Sequence, residues 1–168
     1  MHIQSSWLLA AVASGLMVLP NQGVAQSPGT APKAGTYKSY SYRFKTPDRV
    51  IVFTGDTGAS DALTQLAKDA DILVSEVVSV EDIKEARIRD GRWQAMSTKE
   101  QQEFIRHMVE EHITPEQIGK MAARANVKTV ILSHLAQRPD SDDYTAWAEE
   151  VKKHFSGQVL VAQDLMEF

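Results

Sequence analysis

The stretch Ile51–Ser60, IVFTGDTGAS, carries an apolar run into a loop built on Gly55, Asp56, Thr57 and Gly58. Asp-Thr-Gly is the signature of an aspartic protease, but an Asp just past an apolar strand is also where an α/β sheet gathers its ligands. The protease needs an all-β frame and a second carboxylate, from another lobe or subunit, to share one proton. Here a Gly precedes the Asp, no second Asp-Thr-Gly occurs, and SDALTQLAKDA (60–70) has helical apolar spacing with Ser60 placed as its cap. These surroundings favour an α/β layered domain over a protease. A phosphate-cradling loop is also disfavoured, because Gly55 and Gly58 lack the Gly-x-Gly-x-x-Gly or Gly-Lys-Ser/Thr context.

Upstream of the loop, YKSYSYRFK (37–45) alternates aromatic and polar residues and TPDR (46–49) supplies a turn, so the chain from Tyr37 to Thr54 predicts a β-hairpin. Downstream, DILVS (71–75) predicts a buried strand and 80–90 a polar helix. Two capping boxes follow, Ser97 with Glu100 and Thr114 with Gln117, the second with Pro115 at the first helical position. The second helix runs to about Ala125 and feeds the strand KTVILS (128–133). DDYTAWAEEVKKHF (142–155) predicts the last helix, stopped by Gly157, and QVLVAQ (158–163) the last strand. A hairpin followed by alternating helices and strands predicts a mixed sheet with flanking helices.

With 168 residues and 43% hydrophobic content, the chain suffices for one core and is short for two. The net charge is −4, with Lys and Arg spread among acids, so no nucleic-acid partner is expected. Cysteine is absent, which excludes thiolate chemistry and leaves His, Asp and Glu to hold any metal. Residues 1–25 carry no Lys, Arg, Asp or Glu and contain the apolar run WLLAAVASGLMVLP (7–20), the length of a signal-peptide core. The expected organisation is a signal peptide (1–25), a flexible linker (26–36) and one domain (37–168), in an exported protein, periplasmic or secreted. Membrane attachment follows only if the leader stays uncleaved.

Asp56 follows one apolar strand and His134 ends another, so the two can converge at the carboxyl end of the sheet as metal donors. Equally, Asp56 can turn its own loop and His134 can hydrogen-bond a strand end. His107 and His112 are five residues apart and so off one helical face.

YRFKTPDRVIVFTGDTGASDALTQLAKDADILVSEVV (42–78), HITPEQIGKMAARANVKTVILSHL (112–135) and VKKHFSGQVLVAQDLMEF (151–168) resemble the C-terminal half of the metallo-β-lactamase superfamily, in the branch of RNase Z and the exported arylsulfatase-like hydrolases. The resemblance implies about half of an αββα sandwich, and a hydrolase of esters, sulfates, phosphodiesters or lactams that uses two zinc ions. It implies Asp56 as the bridging carboxylate and His134 as a ligand of the second zinc. It further implies Glu76 and His112 as an acid–imidazole pair that hands a proton to the leaving group. Two departures stand out: Ser75 where the branch commonly has His, and no His-x-His-x-Asp-His anywhere. A small ester-like substrate is then expected, with the rest of the site coming from self-association or a complementary half-domain. The alternative is a catalytically silent remnant or interaction module of the same fold.

Overall fold

The computed structural model describes residues 17–20, 39–136 and 144–168. Among the described residues, six strands and five helices follow one another as β1 (Met17–Pro20), β2 (Tyr40–Lys45), β3 (Val50–Phe53), α1 (Asp61–Leu66), β4 (Ile72–Val78), α2 (Val80–Arg89), α3 (Thr98–Glu111), α4 (Pro115–Arg124), β5 (Thr129–Ala136), α5 (Thr145–Lys152) and β6 (Gln158–Val161). The sheet runs in chain order, antiparallel from β1 to β3 and parallel from β3 to β6. This is the mixed α/β arrangement that the patterning predicts. Of the expected leader, Met17–Pro20 pairs with β2 as an edge strand; the cleavage point after Ala25 and the linker 26–36 lie outside the described residues.

Period-two alternation sorts the strands into two faces. Val52, Leu73, Val130 and Val159 are register partners across β3 to β6, all at most 5% exposed, and they pack with Leu63 and Leu66 of α1, Ile118 and Met121 of α4, and Trp147 and Val151 of α5. On the opposite face Tyr42, Phe44 and Phe53 stay 38–44% exposed. Phe44 meets the Phe53 ring edge-on and stacks beside Tyr42 with the two rings inclined by 26°. Sheets of this kind usually bury both faces, whereas here the aromatic face is left to water.

Both capping boxes are present, at Ser97 with Glu100 and at Thr114 with Gln117. The last helix is shorter than its pattern: α5 ends at Lys152, with Lys153 as its cap, and the expected start at Asp142 lies outside the described residues. Conversely β5 runs on past Ser133 to Ala136, so His134 lies within a strand and not beyond its end.

Candidate functional site

The carboxyl ends of β3, β4 and β5 carry the site. Gly55 turns the chain out of β3 with a φ of +62°, and a Cβ there would lie 2.6 Å from the carbonyl oxygen of Tyr40. Only glycine accepts both the left-handed backbone and that approach. The turn presents Asp56, whose carbonyl accepts the Ser39 hydroxyl at 2.5 Å.

His134 is aimed by a different device. Between the pairs Ser75–Leu132 and Val77–Leu135, β4 has one residue, Glu76, and β5 has two, Ser133 and His134. That is a β-bulge, and His134 takes it up with a φ of +48°, in the left-handed region that a side chain enters only at a cost. The result brings Nε2 of His134 to 3.6 Å from Oδ2 of Asp56, both side chains well exposed. His134→Gly is therefore expected to stabilise the fold by about 0.5–1 kcal/mol while removing the donor, because glycine relieves the strain. A rise of a few degrees in Tm, read by thermal denaturation, checks this.

Glu76 is 4% exposed, a carboxylate within the sheet that must be hydrogen-bonded. Its Oε1 accepts the Thr57 amide at 2.6 Å and its Oε2 faces Nδ1 of His112 at 2.7 Å. Its own backbone amide donates to Oγ1 of Thr54, and its carbonyl accepts the hydroxyl of Ser75. Burial pushes the Glu76 carboxyl above the usual glutamate range, while the hydrogen bonds from His112 and Thr57 pull it the other way. Ser75 is fully buried, and its hydroxyl fixes the backbone next to the acid.

His107 and His112 do approach, with ring centroids 6.1 Å apart and perpendicular rings. The helical rule does not apply to them, since α3 ends at Glu111 and His112 leaves in extended conformation, φ −128° and ψ 163°. His107 itself pairs with Glu111 through Nδ1 at 2.9 Å.

Asp56, Glu76 and His134 thus line one open cleft, walled on its apolar side by Tyr42, Phe44 and Phe53. Asp56 and His134 are two donors, where zinc takes roughly four. Among the described residues no group of three or more His, Asp or Glu side chains is placed to share a metal ion. This chain's described residues therefore do not by themselves fit a zinc ion, let alone two.

No family profile matches the chain. Ribonuclease Z of Thermobifida fusca is 30% identical over 127 residues, 74% of this chain and 33% of that protein. Ribonuclease Z of Nocardia farcinica is 34% identical over 122 residues, 71% of this chain and 32% of that protein. A metallo-β-lactamase fold protein from Bacillus subtilis superposes on 76% of this chain and 43% of its own, with a TM-score of 0.53 at 20% identity, a likeness of fold. The chain is homologous to RNase Z and metallo-β-lactamase-fold proteins over about 72% of its length. It spans about a third of the curated relatives it matches.

This homology overturns the expected absence of a nucleic-acid partner, since the matched proteins are ribonucleases by name. Net charge is a sum over the whole chain and does not report what a local cleft accepts. The matched curated relatives carry a ribonuclease name, and neither is named for the sulfate or lactam chemistries also expected.

Proposed function

We propose that the chain contributes to an RNase Z-like phosphodiesterase, with RNA as the substrate class and an export leader at its start. The observation that carries this is the Glu76–His112 pair, buried at its acid end, whose Glu76 lines the same cleft as Asp56 and His134. A carboxylate that accepts from Nδ1–H orients the imidazole, and once Nε2 has itself taken up a proton it can pass that proton to a departing sugar oxygen. Asp56 and His134 supply donors to a metal site that needs further ligands from outside the described residues. That two-donor count also favours the second reading, a silent module of the same fold.

Zinc per chain, by elemental analysis after dialysis against a weak chelator, tests the proposal. Retention near two zinc ions that drops in Asp56→Ala and His134→Ala supports it. The loaded protein is then expected to cleave RNA, and His112→Ala to slow cleavage by about 10²–10⁴-fold. No retained zinc confines the chain to the silent reading.

A further inference from the structure

Thr57 and Gly58 touch the supports of the Glu76–His112 pair without belonging to it. Thr57 is 3% exposed, and its amide occupies Oε1 of Glu76, which leaves Oε2 to face the imidazole. A Cβ on Gly58 would lie 2.2 Å from the carbonyl oxygen of Glu110 and 3.1 Å from its carbonyl carbon, backbone atoms that cannot swing aside. Gly58 does not have a positive φ, so close approach alone demands glycine there. Glu110 lies in the last turn of α3, two residues before His112. On the far side of the histidine, the carbonyl of Ile113 accepts the Val78 amide at 3.0 Å and anchors the chain to β4.

We propose that Thr57 and Gly58 are positioning residues: they clamp Glu76 and the end of α3 against the Asp56 loop and so set where the His112 ring stands relative to Asp56. The Asp-Thr-Gly triplet then has three separate duties. Asp56 faces His134, Thr57 orders the acid through its backbone, and Gly58 makes room for the helix end that delivers the imidazole. The catalytic meaning of this clamp rests on the hydrolase reading, but the clamp itself is tested without turnover.

Proton NMR of the full chain supplies the test. A ring N–H held by a buried carboxylate exchanges slowly enough to appear far downfield, and an amide donating to that carboxylate lies downfield of its neighbours. Wild type is expected to show both signals, assigned to Nδ1–H of His112 and to the Thr57 amide. Gly58→Ala is expected to lose the ring signal and to move the Thr57 amide upfield. Gly91→Ala is the control, since its φ of +76° makes alanine strained there while a Cβ would meet nothing within 4 Å. It should destabilise the chain and leave both signals in place. Retention of both signals in Gly58→Ala, or their loss in Gly91→Ala as well, would overturn the proposal. Should Gly58→Ala fail to fold, Glu76→Gln answers instead: a Thr57 amide that does not move when its acceptor loses charge overturns the clamp. Absence of RNA cleavage in wild type with both signals present would sink the hydrolase reading and leave the clamp standing.

Discussion

Glu76→Ala is expected to destabilise the fold by about 2–4 kcal/mol, and Glu76→Gln by less than about 1 kcal/mol. Truncation to Ala takes the acceptor from the buried Thr57 amide and opens a space inside the sheet. Gln keeps Oε1 for that amide and turns an N–H toward Nδ1 of His112, which accepts it by changing tautomer. Urea denaturation of the three proteins at neutral pH measures the difference. Equal losses in both variants would show that charge, and not hydrogen bonding, is what the site needs from this residue.

The same residue sets a pH dependence. Unfolded, Glu76 ionises near its ordinary value of 4.5; folded, burial makes it hold its proton to higher pH. Between those two values the native state binds more protons than the unfolded one, so this residue's contribution to stability falls as pH rises, and it levels off above the folded value. Glu76→Gln should lack that fall, which denaturation midpoints measured across the window will show.

Leu132→Ala is expected to cost about 3–5 kcal/mol and to lower Tm by more than about 10 °C. Leu132 is fully buried, belongs to the core cluster on the helix-covered face, and directly precedes the bulge of Ser133 and His134. A cavity of leucine size is a large fraction of the 5–15 kcal/mol that stabilises a typical domain, roughly, and here it also loosens the strand that aims His134. A Tm within a few degrees of wild type would mean that the sheet repacks around the gap.

The elements were legible where local chemistry decides them. Ser60, Ser97 and Thr114 announce helix starts through their own side chains, and each caps the helix that its position predicts. The hairpin turn at Thr46–Arg49 closes through a backbone bond of 2.9 Å, as its Pro and Asp suggest. Helix ends were less legible: α5 stops at Lys152, short of Gly157, since the breaker marks the outer limit of a helix and not where its hydrogen bonds give out. His134 was legible as a residue near a strand end, but its bulge was not, because one residue added on β5 is defined only against the register of β4. The approach of His107 to His112 was likewise hidden, because it needs the helix to stop at Glu111.

By itself the sequence determined the order of elements, the mixed sheet, and the placing of Asp56 just past the end of β3, because caps, turns and apolar period act within a few residues. Only the tertiary structure decided that Glu76 is buried against His112, that the Thr57 amide and the bare Cα of Gly58 hold that pair to the Asp56 loop, and that Tyr42, Phe44 and Phe53 face water. Those facts join residues far apart in the chain, Glu76 to His112 across 36 positions and Gly58 to Glu110 across more. Their physical reason is register and close approach: parallel pairing sets β3, β4 and β5 side by side, and which side chains then meet depends on distances that local sequence does not encode.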